Sequence, residues 1–173
     1  MATKPMNLDT TTQALPTPSK TKWTSLDRWL ADKQAWAPAA LRAPLGVILF
    51  AHGAQKVFGW FGGYGWNGSM EYFEQTLHIP APFAIAAFLI ELIGGLALLG
   101  GFLTRWAAIF VAGEMLVAAV KVHLPNGFFL NWSNTPNQGH GIEYSLLVIG
   151  TAIALAIIGG GRYSVDAKLR KAS

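Results

Sequence analysis

The chain has 173 residues, of which 52% are hydrophobic and 13% are charged, and its mean hydropathy is +0.35. This length fits one domain, and this composition is typical of an integral membrane protein. The sequence contains no cysteine, which excludes disulfides, thiolate metal sites, iron–sulfur ligation and thiol redox chemistry. The formal net charge of +4 is modest, and we expect no nucleic-acid partner.

The N-terminal segment, residues 1–22, is polar and rich in threonine, proline and lysine. It has no apolar core of the kind that a secretory signal peptide requires. It also contains too few large apolar side chains to offset the entropy lost on ordering. We therefore expect a disordered cytoplasmic tail over this segment.

Residues 23–37 are predicted to form a separate amphipathic helix that ends at Pro38. Its apolar face is rich in tryptophan, a side chain that prefers the boundary between lipid and water. We interpret the segment as an interfacial helix on the membrane surface, anchored by Trp23, Trp29 and Trp36. The alternative is a soluble helix that docks a partner.

Four apolar segments follow, and each reaches the length of about 20 residues that a membrane-spanning helix needs. They cover approximately residues 39–61, 82–102, 105–124 and 141–160. The sequence therefore predicts an all-α fold, an integral membrane four-helix bundle over residues 38–161 with the interfacial helix before it and a basic tail, 162–173, after it. Small residues predict close helix packing in the second and third segments: Gly94, Gly95, Gly100, Gly101, Ala108 and Ala112.

Basic residues are distributed unevenly about these segments. All but two of the 13 lysine and arginine residues lie before or near the start of the first segment, at the start of the third, or after the fourth. The exceptions are Lys56 and Lys121, which lie inside or at the rim of a segment. Because cytoplasmic loops are enriched in lysine and arginine, we expect a multi-pass protein of the bacterial inner membrane with both termini in the cytoplasm.

The two loops without basic residues, 62–81 and 125–140, are predicted to cover the outer end of the bundle. The first contains a short amphipathic segment that presents Met70, Phe73 and Leu77, and Ser69 is a candidate cap for it. The second is aromatic and amide-rich, a composition that suits the membrane interface.

Ionisable side chains inside apolar segments are the most informative feature of the sequence, because each one costs several kcal/mol in hydrocarbon unless it is paired or faces a polar cavity. With a rise of about 1.5 Å per residue, they fall into a layer near the membrane centre and a layer near the outer face. The sequence therefore predicts a polar cavity lined by His52, Lys56, Glu91, Glu114, Lys121, His123, His140 and Glu143.

Within this cavity we expect Lys56 to pair with a carboxylate, and its depth favours Glu143 over Glu91. Glu91 or Glu114 is the group expected to change its protonation state. The alternative interpretation is that the charged residues pair only to set the register of the helices, as buried ion pairs do in some proteins.

The histidines and carboxylates do not match common metal or haem sites. A di-iron bundle uses Glu-x-x-His on two helices, whereas this chain has only the reversed order, from His140 to Glu143. A b-type haem needs two histidines at one level, and His52 and His123 differ by about 9 Å in depth. We therefore expect no metal site and no intrinsic cofactor.

Several motifs of the chain resemble the DoxX family of membrane proteins over about residues 40–167. They are HG-x-x-K in the first segment, a glutamate followed by paired glycines and a Gly-x-x-Thr-Arg turn, GHGIEYSLL in the fourth, and GGGRYSVD near the end. The resemblance implies a four-helix membrane bundle linked to a quinol oxidase or to quinone chemistry, with a quinone as the candidate ligand. It also implies that the characteristic polar residues are His52, Lys56, Glu91 and Glu143.

The leading hypothesis is a small integral membrane subunit of a quinone-linked respiratory or redox complex, with a polar intramembrane cavity for a head group or protons. Its expected partners are the lipid bilayer and other membrane subunits or further copies of itself. The sequence leaves open whether the chain is itself an enzyme. The alternatives are a non-catalytic structural or assembly subunit and a small-solute transporter.

Overall fold

The structure is a computed structural model that describes residues 24–172. The predicted N-terminal tail, Trp23 and Ser173 lie outside the described residues. The described part is all-helical and contains no strand. Its helices are α1 (Ser25–Lys33), α2 (Ala37–Phe58), α3 (Gly65–Glu71), α4 (Ala81–Gly100), α5 (Thr104–Asn126), α6 (Glu143–Ile158) and α7 (Val165–Ala172).

The predicted interfacial helix is shorter than the pattern indicated, because α1 ends at Lys33 and a 3-10 turn, Gln34–Trp36, follows it. Pro38 was expected to end a helix, but it lies in the first turn of α2. A proline is well tolerated there, because the first N–H groups of a helix have no partner within the helix.

A reciprocal cap holds the start of α1. The Thr24 N–H and hydroxyl donate to the Asp27 carboxylate at 2.9 and 2.7 Å, and the Asp27 N–H donates to Thr24 Oγ1 at 3.1 Å. These hydrogen bonds hold the pKa of the Asp27 carboxyl below its usual value.

The two predicted anchors that the structure describes, Trp29 and Trp36, have exposed fractions of 59% and 53%. Trp29 belongs to a compact unit that extends to Asp32, and Trp36 belongs to a second unit that begins at Lys33. Within the second unit, the Trp36 ring stacks on Tyr163 with 4.0 Å between the ring centroids.

Three helices within the described residues are long and apolar enough to cross a membrane: Gln34–Phe58, α4 and α5. The fourth apolar helix, α6, has 16 residues and therefore extends about 24 Å, less than the ~30 Å of a hydrocarbon core. It starts later than the predicted segment because the Gly141 N–H donates to the Phe129 carbonyl oxygen in a loop. It ends at Gly159, whose φ of +77° is a left-handed value that favours glycine.

Glycines bring α2 and α4 into backbone contact. A Cβ atom at Gly53 would lie 2.6 Å from the Cα atom of Leu92, and one at Gly95 would lie 2.5 Å from the backbone nitrogen of Phe50. Gly46 meets Gly95 in the same way. Since higher residue numbers on α2 meet lower numbers on α4, the two helices are antiparallel.

The apolar core fills the half of the bundle that contains the start of α2. It is built from buried side chains of α2, α4, α5 and α6, namely Leu45, Leu49, Leu98, Ala107, Ala108, Val111, Met115, Val148, Ala152 and Leu155. Shape complementarity among these side chains provides the packing contacts that associate helices when lipid surrounds them.

At the same end, which we call the basic end, Arg42 and Arg105 bind the C-terminal carbonyl groups of neighbouring helices. Arg42 is buried and donates through Nη1 to the carbonyl oxygens of Leu98, at 3.0 Å, and Leu99. Arg105 Nη1 donates to the Ala156 carbonyl oxygen at 2.9 Å. These guanidinium groups lie where the negative ends of the helix dipoles favour a positive charge.

At the start of α5 the charges are reversed, because a carboxylate binds N–H groups at the positive end of the helix dipole. The Asp166 carboxylate accepts the N–H groups of Leu103 and Thr104 at 2.7 and 2.9 Å. Partial burial opposes ionisation, but the hydrogen bonds outweigh it and hold the pKa of the Asp166 carboxyl below its usual value. The Gly-x-x-Thr-Arg turn and the Ser-x-Asp ending, which are far apart in the sequence, are therefore in contact, and the residues expected to form a basic tail include the helix α7.

Candidate functional site

The described residues contain three π-turns: Tyr72–Thr76 follows the end of α3, whereas Ile90–Gly94 interrupts α4 and Ala119–His123 interrupts α5. The second contains Glu91, and the third contains Lys121 and His123. A π-turn inserts one residue into a helical turn, reorients the neighbouring side chains and is often found at functional positions. No pattern in the sequence predicted these turns.

A cavity of about 800 Å³ lies in the other half of the bundle, next to the connecting segments 59–80, which contains α3, and 127–142; we call this side the loop end. Seven of the eight side chains predicted for a polar cavity line it: His52, Lys56, Glu91, Glu114, Lys121, His123 and His140. The remaining wall is mainly apolar and includes Ile48, Phe83, Ile90 and Val117. The volume lies within the range of small-molecule sites, about 300–1,000 Å³.

The segment before α4 also contributes to the wall through Tyr72 and His78, two residues that no sequence pattern marked as candidates. The predicted amphipathic segment supplied the relevant signal, because its Phe73 and Leu77 are both lining residues. The proposed cap is wrong: Ser69 lies inside α3, and it is buried.

Lys56 and Glu91 form the central contact of the site, with Lys56 Nζ 2.5 Å from Glu91 Oε2. Glu91 is only 6% exposed, so this carboxylate has little contact with solvent or lipid. The expectation that Glu143 would be the preferred partner of Lys56 is wrong.

The direction of the side chains explains the difference. Side chains on a helix lean toward its N-terminus. Lys56 therefore leans from the loop end toward the middle of the bundle. Glu91 lies on the antiparallel helix and leans toward the loop end, so the two groups approach each other although their Cα atoms differ in depth. A depth estimate based on Cα positions alone cannot include this effect.

Glu114 is a third member of the cluster, and it interacts electrostatically with Glu91 and Lys56. Its Oε2 atom is buried and has no hydrogen-bond partner. His52, one helical turn before Lys56, interacts with the same pair. Lys56 thus pairs with Glu91, with the carboxyl group of Glu114 nearby, and the three groups are electrically neutral together when one carboxyl carries a proton. A buried acceptor without a partner is a position that a proton or a hydrogen-bonding ligand could satisfy.

Glu143 does not line the cavity. Its Oε1 atom accepts the Leu130 N–H at 2.9 Å, and its own N–H donates to the Phe128 carbonyl oxygen at 2.9 Å. Glu143 therefore fixes the loop 127–142 at the start of α6. In the same loop, the Asn131 N–H donates to His140 Nδ1 at 3.1 Å.

His123 connects α5 to this loop, with its Nδ1 atom 3.2 Å from the His140 carbonyl oxygen. Within residues 24–172, no group of three or more His, Cys, Asp or Glu side chains is arranged to hold a metal ion.

Comparison with known proteins identifies the family. The sequence model of the DoxX family matches residues 37–124, about half of the chain, and this range carries the Lys56, Glu91 and Glu114 cluster. The chain belongs to the DoxX family. The matched range extends from α2 through α4 and most of α5, so it covers nearly all of the three helices that are long enough to cross a membrane.

Two relatives are similar to this DoxX protein, and the name of the first supports its assignment to the membrane. The chain is 36% identical over 115 residues to "Inner membrane protein YqjF" of Escherichia coli (strain K12), an alignment that covers 65% of this chain and 81% of the relative. It is 29% identical over 126 residues to "Putative oxidoreductase CatD" of Bacillus subtilis (strain 168), covering 73% and 81%. No solved structure matches the chain.

Proposed function

We propose that this DoxX-family membrane protein is a small subunit of a quinone-linked redox system and that its cavity binds the head group of a quinone or quinol. The observation that carries the proposal is a largely apolar cavity with the Lys56–Glu91 pair and the unpartnered Oε2 atom of Glu114 among its lining side chains. A quinone head group is a flat apolar ring with polar oxygen atoms, which matches such a lining.

The cluster also suits the proton chemistry of this ligand. Reduction of a quinone to a quinol adds two electrons and two protons, with one proton on each carbonyl oxygen. The Lys56 ammonium group and the protonated form of Glu114 can donate hydrogen bonds to such an oxygen and transfer protons to it, whereas ionised Glu114 can accept a hydrogen bond from a quinol hydroxyl. The electrons would come from a redox protein that assembles with this subunit, and the similarity to a protein named as an oxidoreductase supports that part of the proposal.

The position of the core favours a binding site over a route across the membrane. Leu49, Met115 and Val148 belong both to the cavity wall and to the apolar core, which fills the bundle between the cavity and the basic end. A transporter would need a second state in which these side chains separate.

Binding of a quinone analogue tests the proposal. We expect the purified protein in lipid nanodiscs to bind a short-tailed ubiquinone analogue. Glu114→Leu should weaken this binding about tenfold, because a hydrogen bond to a buried polar group is lost. The matched control is Glu74→Leu, the same substitution at an exposed residue outside the cavity. Absence of binding to the unaltered protein, or equal affinity of the two variants, would argue against the site.

We also propose that both termini lie in the cytoplasm, because Arg42, Arg105 and the basic residues of α7 lie at the end of the bundle opposite the loop end. The chain contains no cysteine, so single cysteines can be labelled without background. We expect Asn67→Cys and Ser133→Cys, at exposed loop-end positions, to react with an impermeant reagent added outside intact cells. Ala172→Cys should react only after the cells are opened, and the opposite pattern would reverse the topology.

A further inference from the structure

The cavity reaches the surface of the bundle between α4 and α5. These helices pack on each other through Ile90–Gly94 and Gly95–Gly100, on the side of the basic end. Nearer the loop end, Phe83 on α4 and Val117 on α5 line the cavity and yet are 69% and 51% exposed. Side chains that belong both to a cavity wall and to the outer surface mark the edge of an opening.

Gly113 widens this opening at the level of the charged cluster. It is exposed, it lines the cavity, and it immediately precedes Glu114. A Cβ atom placed on Gly113 would meet no atom within 4 Å, so the space beside it is empty. Gly113 lies near the middle of α5, a helix long enough to cross the membrane, and its exposed side therefore faces lipid hydrocarbon.

We propose that the ligand is an amphiphile with a long apolar tail that enters the cavity sideways from the bilayer between α4 and α5. Its polar head lies at the Lys56, Glu91 and Glu114 cluster, and its tail leaves past Gly113 into the lipid. This inference rests on the proposed function and specifies its ligand class: a lipid-soluble, tailed molecule rather than a water-soluble one.

The physical reason is the match between each part of such a molecule and its surroundings. The head group meets the polar groups that the bilayer centre lacks, whereas the tail stays in hydrocarbon and loses no favourable environment on binding. A water-soluble ligand would have no use for an opening at this depth, because it would first have to dissolve in the membrane.

A pair of glycine substitutions tests the inference. Gly113→Leu should fill the opening without disturbing helix packing, because there is empty space beside the residue and leucine is a good helix former. The matched control is Gly150→Leu on α6, where a Cβ atom also meets nothing within 4 Å and which does not line the cavity. Thermal unfolding midpoints of both variants equal to that of the unaltered protein would show that neither substitution damages the fold.

Two ligands with the same head group, one with a tail and one without, then distinguish the contribution of the tail to binding from that of the head group. Relative to Gly150→Leu, we expect Gly113→Leu to bind the decyl-tailed ubiquinone analogue about tenfold more weakly, since overfilling an occupied space carries a cost of this order. The tail-less head group should bind both variants about equally, because the cluster itself is unchanged. Comparing variants under one membrane condition cancels the partitioning of the tailed ligand into lipid.

The remaining outcomes distinguish the two proposals. If both ligands bind both variants equally well, the tail does not leave past Gly113; the sideways opening is then wrong and the quinone site stands. The same conclusion follows if the unaltered protein binds the tail-less head group but not the tailed analogue. If the unaltered protein binds neither ligand, the proposed function fails, and the inference fails with it.

Discussion

Replacing Lys56 with methionine is expected to lower the free energy of unfolding by about 3 kcal/mol or more, the usual scale for removing one partner of a buried ion pair. Methionine retains most of the length of the side chain but leaves Glu91, which is 6% exposed, without its cation. Glu114 lies beside it and cannot replace the lost charge, because it is itself a carboxyl group. The effect should appear as a lower midpoint of thermal unfolding in detergent.

The double variant Lys56→Met with Glu91→Gln should recover much of this loss, because neither charge then remains buried. Lys121→Met is the matched control: Lys121 lines the same cavity but is exposed, so the same substitution should cost little. If the stability losses of the two single variants simply add in the double variant, Lys56 and Glu91 do not interact. If Glu143→Gln, and not Glu91→Gln, recovers the stability lost in Lys56→Met, the partner of Lys56 is Glu143, as the depth estimate predicted.

Gly53→Ala is the second substitution with a large expected effect. The added Cβ atom would lie 2.5 Å from the backbone nitrogen and 2.6 Å from the Cα atom of Leu92. Real Cβ contacts are not this short, and a backbone cannot move aside as a side chain can, so α2 and α4 must separate. We expect a loss of about 3 kcal/mol in the free energy of unfolding, the upper part of the range for overpacking.

This substitution should also disturb the site, because Leu92 is next to Glu91 and moves with it. The control is Gly150→Ala, which meets nothing within 4 Å and should leave the stability unchanged or raise it by up to about 1 kcal/mol, since alanine favours a helix over glycine. Thermal unfolding of the two alanine variants provides the comparison. Equal midpoints would show that the helices do not pack backbone to backbone at Gly53.

The amino-acid sequence by itself determined the class of the protein and the approximate position of its helices. Long apolar segments have few stable states other than membrane helices, so their length and composition suffice to predict an all-α membrane fold. The cost of a charge in hydrocarbon likewise limits where ionisable side chains can lie. This constraint is why a set of residues chosen by depth includes seven that line one cavity in the structure.

Only the tertiary structure decided which of these residues touch. Depth along a helix axis is one coordinate, whereas a contact also depends on helix rotation, on the lean of the side chain and on local turns. Lys56 therefore reaches Glu91 instead of Glu143, and the π-turns at Ile90–Gly94 and Ala119–His123 orient residues in a way that no composition signal indicated.

The same limit applies to the close approach of the helices. Gly95 was predicted to permit close packing from its small-residue pattern, but Gly46 and Gly53 were not, although all three lie where α2 meets α4. A glycine in a membrane segment can face either the lipid or the backbone of a neighbouring helix. The choice between these depends on which face of the helix meets a partner, and the tertiary packing alone determines that face.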